Sequence, residues 1–88
     1  MLPTITDKTV AAIERQAAAT PKQPFFIYMP LNAPHTPLVP APEFQGCTGL
    51  NDYTDFCVQV DACVGRVLAA LDRCDLARNT IVMFTADN

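Results

Sequence analysis

The chain has 88 residues, of which 50% are hydrophobic and 17% charged, and its formal net charge is −3. A chain of this length forms at most one small domain, and the composition is typical of a folded protein. No apolar run approaches the roughly 20 residues of a membrane-spanning helix. The acidic balance argues against nucleic acid or an anionic membrane surface as a partner.

The four cysteines show no arrangement that is typical of a metal site: Cys47, Cys57, Cys63 and Cys74. They include no C-x-x-C pair and no nearby pair of histidines, which argues against zinc. Free cysteine is among the most buried residue types, so we expect small buried apolar side chains here. Disulfides stay open at this point.

The first periodic segment predicts a helix over residues 6–19 with Thr6 as its N-cap. Its apolar residues recur at i, i+3 and i+7 and therefore form one face: Val10, Ile13 and Ala17. Two prolines within residues 20–24 end the helix, because proline removes a backbone donor and fixes the backbone.

Residues 25–29 (FFIYM) are aromatic or apolar without alternation, which predicts a strand buried on both faces. Residues 30–42, the proline-rich arm, contain five prolines and can enter neither a helix nor a central strand. We predict that the arm packs through the apolar side chains in and just after it: Leu31, Leu38, Val39 and Phe44. A flexible low-complexity linker is the alternative.

The clearest periodicity predicts a second, longer helix that is capped by Asn51 or Asp52 and closes around residues 72–75. Its apolar side chains recur every three or four residues: Tyr53, Phe56, Cys57, Val60, Val64, Val67, Leu68 and Leu71. Its polar side chains are predicted to face water: Asp55, Gln59, Arg66 and Arg73. The apolar run that starts at residue 81 predicts a second strand.

These elements form a βαβ unit, so the predicted fold class is α/β: two parallel strands joined by a long crossover helix, preceded by an N-terminal helix. Ligands of open α/β sheets bind beyond the carboxyl ends of the strands. His35 follows the first strand, and Asp87 and Asn88 end the second, so we expect all three at one edge of the sheet. Because carboxylate and amide oxygens suit Ca²⁺ or Mg²⁺, Asp87 and Asn88 are predicted metal ligands. Two parallel strands need neighbours, so we expect no independent stability from a two-stranded unit.

Three ordered segments carry a family resemblance: PFFIYMPLNAPHTPL (24–38), DACVGRVL (61–68) and NTIVMFTADN (79–88). They resemble the middle of a sulfatase of the arylsulfatase type, from the alkaline-phosphatase-like superfamily. The resemblance implies that residues 1–88 are an internal part of a sulfatase catalytic domain, built on that superfamily's larger sheet. It also implies hydrolysis of a sulfate-ester small molecule or glycan to alcohol and sulfate.

The resemblance assigns roles to single residues. Asp87 and Asn88 match a late Asp-Asn pair that provides two ligands to a divalent cation, usually Ca²⁺ although Mg²⁺ also fits, and this cation binds the sulfate group. His35 matches the histidine of a Pro-His-Thr-Pro segment, which contacts the sulfate ester and assists departure of the alcohol. These roles fit the chemistry, because a proton donor and a metal both offset the charge that develops during cleavage.

Other family features are absent from the chain. The family's nucleophile is a formylglycine made in a Cys/Ser-x-Pro-x-Arg motif, which the 88 residues lack; Cys63-Val64-Gly65-Arg66 has the wrong spacing and no proline. The early Asp-Asp metal pair, the arginine beside the nucleophile and the sulfate-binding lysines are missing too. We therefore expect the chain alone to be inactive. Asp75 stands where the family commonly has Gly, which predicts strain at the exit of the second helix.

Two alternatives stay open. One is a phosphonate or phosphate ester hydrolase of the same superfamily, and the nucleophile segment would separate it from a sulfatase. The other is a non-catalytic chain, either truncated or an interaction module whose P-x-x-P segments are bound as an extended ligand. The first residues show no signal peptide, whereas the resemblance implies a periplasmic, lysosomal or secreted protein.

Overall fold

Two long helices dominate the computed structural model, which describes residues 2–19 and 23–86 of the chain. Helix α1 covers Leu2–Ala18 and helix α2 covers Asp52–Arg73. Short 3-10 turns at Pro42–Phe44 and Ala77–Asn79 lie on either side of α2 in the sequence. Over the described ranges the chain forms no strand.

The two helices pack side by side and run in the same direction. Leu2, at the start of α1, packs with Phe56 in the first half of α2. Ile13, one of the most deeply buried side chains, packs with Ala70 and Leu71 near the end of α2. Because both helices point the same way, the chain between them must return along their length.

Two ion pairs on the flank of the helix pair follow the same alignment. Asp7 binds Arg66 at 2.7 Å and Glu14 binds Arg73 at 2.9 Å. Both pairs join residues that are 59 apart in the sequence, so they share one register. Exposed pairs of this kind contribute about 0–1 kcal/mol each. The buried apolar contacts, and not these charges, therefore hold the helices together.

The start of α1 corrects the predicted helix boundary. The described helix begins at Leu2, and Thr6 is a fully buried residue inside it rather than its N-cap. The Thr6 hydroxyl donates to the Leu2 carbonyl at 2.7 Å, and the Thr9 hydroxyl donates to the Ile5 carbonyl at 2.9 Å. Threonine inside a helix can satisfy its hydroxyl in this way, so both side chains enter the interface without an unpaired donor.

The start of α2 confirms the predicted cap. The Asn51 side chain accepts a hydrogen bond from the Thr54 backbone N–H at 2.9 Å. The Thr54 hydroxyl in turn accepts one from the Asn51 backbone N–H at 3.3 Å. This reciprocal capping box satisfies backbone donors that would otherwise have no partner at the first turn.

The end of α2 is a Schellman motif with aspartate in the left-handed position. Asp75 has φ of 58°, a conformation that glycine usually supplies. The Leu76 N–H donates to the Leu71 carbonyl at 2.9 Å, and the Asp75 N–H donates to the Asp72 carbonyl at 3.1 Å. Leu76 also packs against the cluster around Leu71. The strain predicted at the helix exit is therefore located at Asp75.

The predicted α/β fold class, with its βαβ unit, is wrong for the described residues. Segments 25–29 and 81–86 form no strand, and Phe26 and Ile81 are 85% and 87% exposed. A strand satisfies its backbone only through a neighbouring strand, and a short apolar run does not specify that neighbour. Phe25 packs instead on the cluster around Ile13, so the helices provide the burial that this segment obtains.

The cysteines follow the prediction only in part. All four thiols are free. Cys63 lies in the apolar core with Phe56 and Val60, as predicted. Cys57 and Cys74 are partly buried, whereas Cys47 is exposed on the turn that precedes α2, where the prediction of a buried side chain is wrong.

Candidate functional site

His35 is exposed on the proline-rich arm, between two points where the arm packs against the helices. Ala33 precedes it and Leu38 follows it, and both contact the core cluster that contains Leu2 and Phe56. The arm is therefore a packed loop, as predicted, and Leu31 and Leu38 pack as expected. The prediction that Val39 also packs is wrong, because its side chain is 66% exposed.

The His35 ring is oriented by the residue that follows it. Nδ1 lies 2.9 Å from the Thr36 carbonyl oxygen. Because a carbonyl only accepts, Nδ1 must carry the proton in this bond. In the neutral ring, Nε2 is then the unprotonated nitrogen, and among the described residues it has no protein partner.

The arm is hydrogen-bonded to α2 through a buried glutamine. The Ala41 backbone N–H donates to Oε1 of Gln59 at 2.9 Å. Gln59 is only 4% exposed, although its place in the sequence predicts a solvent-facing side chain. The Gln45 amide donates to the Pro40 carbonyl at 3.1 Å and joins the end of the arm to the turn that follows.

A second buried polar residue, one helical turn earlier, holds that turn. Asp55 is 3% exposed, and its carboxylate accepts hydrogen bonds from the Gly46 N–H at 2.7 Å, the Thr48 N–H at 3.1 Å and the Thr48 hydroxyl at 2.6 Å. The turn needs Gly46 and Gly49, whose φ values are 77° and 71°. The prediction that Asp55 faces water is therefore wrong. Like Gln59, Asp55 is buried and accepts hydrogen bonds from the loop that precedes α2.

These contacts perturb two ionisable groups. The Thr48 hydroxyl, and then the backbone N–H groups of Gly46 and Thr48, lower the pKa of the Asp55 carboxyl below its ordinary value. Partial desolvation, and then the charge of the Asp55 carboxylate, raise the pKa of the Cys47 thiol. The Cys47 Sγ lies 3.8 Å from an Asp55 oxygen. Cys47 is therefore a poorer nucleophile than an ordinary thiol, since the thiolate is the reactive form.

The predicted metal ligands Asp87 and Asn88 lie outside the described residues. Residues 2–19 and 23–86 contain no group of three His, Cys, Asp or Glu side chains that could hold a metal ion. The sheet edge at which these ligands were expected to meet His35 is likewise not formed by the described part of the chain. The metal site therefore stays a prediction from the sequence.

No cysteine stands in the sequence context that the formylglycine motif requires. The nearest approach is Cys74 with Arg78 four residues later, but Leu76 occupies the place of the motif's proline. Cys74 caps the end of α2 and packs against the cluster around Ile13. Cys63 is buried in the other cluster. Both thiols therefore have structural roles.

Two shallow grooves lie beside the helices. One, of about 350 Å³, lies between α1 and residues 27–30 and is lined mainly by apolar side chains. The other, of about 230 Å³, is lined by Pro3 of α1, by residues of the arm and the first 3-10 turn, and by α2 residues that include Gln59 and Arg66. His35 lines neither groove. The described helices include none that is long and apolar enough to cross a membrane.

Comparison with known proteins identifies relatives over most of the chain. The family model described as Sulfatase matches residues 3–88. N-acetylgalactosamine-6-O-sulfatase of Bacteroides thetaiotaomicron is 42% identical over 67 residues, which are 76% of this chain and 13% of that protein. N-acetylgalactosamine-6-sulfatase of Canis lupus familiaris is 37% identical over 76 residues, or 86% of this chain and 14% of the relative. Arylsulfatase H of Homo sapiens is 36% identical over 81 residues, which are 92% of this chain and 14% of that protein.

The chain thus spans 13–14% of the length of these curated relatives. No solved structure gives a significant match.

Proposed function

The chain belongs to the sulfatase family, and from this premise we propose that it is part of an enzyme that hydrolyses sulfate esters to an alcohol and sulfate. The family match over residues 3–88 carries the proposal. The arm supports it, because the chain's one histidine is exposed on a loop that is packed and hydrogen-bonded to α2.

We assign His35 the role of proton donor to the departing alcohol. Cleavage of a sulfate ester builds negative charge on the leaving oxygen, and a proton delivered there lowers the barrier. Histidine suits this step because its charge changes near neutral pH. With Nδ1 bound to the Thr36 carbonyl, Nε2 is the nitrogen that would carry the transferred proton.

Asp87 and Asn88 are proposed to contribute two oxygen ligands to a divalent cation, Ca²⁺ in the first place and Mg²⁺ as the second choice. When bound, such a cation neutralises charge on the sulfate oxygens. Calcium takes about six to eight oxygen ligands, so two side chains do not complete a site. The 88 residues also lack the Cys/Ser-x-Pro-x-Arg nucleophile motif. We therefore propose that this chain is inactive on its own.

The substrate class that we propose first is a sulfated amino sugar. Two relatives from distant organisms are named as N-acetylgalactosamine-6-O-sulfatase and N-acetylgalactosamine-6-sulfatase. They are 42% and 37% identical to the matched parts of this chain. The human relative named as an arylsulfatase makes an aryl sulfate the natural comparison substrate.

The test compares wild-type protein with His35→Ala in the longest reading frame that contains these 88 residues. We expect hydrolysis of 6-sulfated N-acetylgalactosamine or of 4-nitrophenyl sulfate, and a decrease in kcat of about 10²–10⁴-fold in His35→Ala. Val39→Ala is the matched control, because Val39 is 66% exposed on the same arm and takes no part in orienting the ring, so this variant should retain activity.

Other outcomes of this assay would replace the proposal. Preference for a phosphonate or phosphate ester would indicate the alternative hydrolase. Absence of turnover with every ester would support a non-catalytic protein. Turnover by the isolated 88-residue chain, above that of its His35→Ala variant, would contradict the proposed inactivity.

A further inference from the structure

Among the described residues, one hydrogen bond joins the proline-rich arm directly to α2, from Ala41 to Gln59. Five residues, 36–40, separate His35 from Ala41, and two of these are Pro37 and Pro40, whose φ angles are fixed by their rings. Leu38 packs on the core, and Pro40 is buried. The rings fix two of the ten φ and ψ angles of residues 36–40. Leu38 and Pro40 hold the segment against the core between His35 and Ala41, so a displacement of Ala41 is passed along a packed segment.

Ala41 is held by Gln59. Its backbone N–H donates to Gln59 Oε1 at 2.9 Å, and the glutamine is 4% exposed in the middle of a long helix. The bond is part-buried, so its loss leaves the Ala41 N–H incompletely hydrated, which is destabilising. Asp55, one turn away on the same helix face, binds the turn 46–48, which follows Ala41 in the sequence. This turn is joined to the arm through the Gln45 amide, which donates to the Pro40 carbonyl at 3.1 Å.

We propose that Gln59 is a positioning residue for His35: its hydrogen bond to Ala41 fixes the end of a packed arm and thereby fixes the imidazole. The functional meaning of this inference rests on the proposed role of His35 in ester cleavage. The structural claim itself concerns only the order of the arm and can be measured without catalysis.

The chain is suited to this measurement because His35 is its one histidine, so histidine labelling gives a single ring spin system. In the wild-type 88-residue chain we expect a backbone order parameter at His35 of about 0.85, equal to that of α2. We also expect ring ¹⁵N shifts of the neutral imidazole that report the Nδ1–H tautomer, as the bond to Thr36 requires.

Gln59→Met removes the acceptor and retains the length and apolar stem of the side chain. We expect the order parameter at His35 to fall below about 0.6, the tautomer signature to become mixed, and the Ala41 amide to exchange roughly tenfold faster. Gln59→Glu should restore all three values, because its carboxyl has an acceptor oxygen whether or not it is ionised. Asp55→Asn is the matched control and should loosen residues 46–48 while His35 stays ordered.

Three results would overturn the assignment. The first is a wild-type order parameter at His35 that is already below about 0.6. The second is an ordered His35 in Gln59→Met despite faster exchange at Ala41. The third is equal loosening of His35 in Asp55→Asn, which would spread the effect over the whole turn. If Gln59→Met loses its helical signal altogether, the wild-type measurement and the Gln59→Glu comparison decide.

Discussion

Replacing Asp75 by glycine should stabilise the helix pair. Asp75 has φ of 58° at the end of α2, with the two hydrogen bonds of a Schellman motif around it. A left-handed conformation costs an L-residue about 1–2 kcal/mol, although aspartate is among the residues that tolerate it best. The greater freedom of glycine in the unfolded chain offsets about 0.5–1 kcal/mol of the gain. The net expectation is a stabilisation of about 0.5–1 kcal/mol by these same terms.

The electrostatic consequences of the change are small. Asp75 lies 3.8 Å from Arg78 in a pair whose side chains are 85% and 89% exposed, and a pair of this kind contributes little. Loss of a carboxylate from the C-terminal end of a helix is slightly favourable, because the helix dipole repels negative charge there. Neither effect reverses the sign of the prediction.

The assay is thermal unfolding followed by circular dichroism at 222 nm, which reports the two helices. For a chain of this size, the expected gain corresponds to a rise of about 2–8 °C in Tm. Asp72→Gly is the matched control: the same substitution three residues earlier lies inside α2 and should not stabilise the protein, because glycine is a weaker helix former than aspartate by about 0.3 kcal/mol. An unchanged or lower Tm in Asp75→Gly, together with an unchanged Tm in Asp75→Ala, would show that the residue is not left-handed.

Three further predictions concern the turn and the core. The pKa of Asp55 is lowered in the folded chain, so its ionised carboxylate stabilises the turn fully above about pH 4. This stabilisation is lost as pH falls through the lowered pKa. Amide exchange at Gly46 should therefore become faster at low pH in the wild type and not in Asp55→Asn. Cys47 should react with iodoacetamide at pH 8 more slowly than a model thiol, and faster in Asp55→Asn, because the carboxylate helps to raise the thiol pKa; equal rates in both proteins would contradict the contact. Ile13→Ala should cost about 2–5 kcal/mol, visible as loss of the signal at 222 nm, whereas the exposed Arg73→Ala should have little effect.

The sequence predicted the second helix well because its signals are local. An apolar stripe with helical spacing over five turns and an Asn51 cap agree with each other, and the structure confirms the helix and its cap. Tyr53 and Leu68 of the predicted stripe are nevertheless 50% and 42% exposed. The strained exit at Asp75 could also be predicted, since glycine is the usual residue there. The first helix was placed four residues late because Thr6 resembles a cap but bonds a carbonyl inside the helix.

The strands could not be predicted reliably because a strand is defined by its partner. Residues 25–29 and 81–86 are apolar enough for a sheet, yet neither pairs with another strand among the described residues. An apolar run without alternation carries no information about which neighbour would satisfy its backbone.

The buried anchors Asp55 and Gln59 were missed for a different reason. Each lies one residue before an apolar member of the stripe, Phe56 and Val60, and so stands at the shoulder of the buried face. Periodicity alone assigns such positions to the solvent. The usable signal was the arm itself, because a proline-rich loop that packs must find acceptors for its remaining backbone N–H groups. Polar side chains at i and i+4 beside the apolar stripe, here Asp55 and Gln59, can supply those acceptors.

The parallel arrangement of α1 and α2 has a consequence for how the chain folds. Helical proteins usually fold fast because most of their contacts are close in sequence. Here the two ion pairs each join residues 59 apart. The packed apolar residues Leu2 and Phe56 are 54 apart, and Ile13 and Leu71 are 58 apart. The chain must close a long loop before the two helices can pack, so it loses the conformational entropy of loop closure before it gains the free energy of their contacts. We therefore expect this helical protein to fold more slowly than a bundle whose neighbouring helices are joined by a short turn.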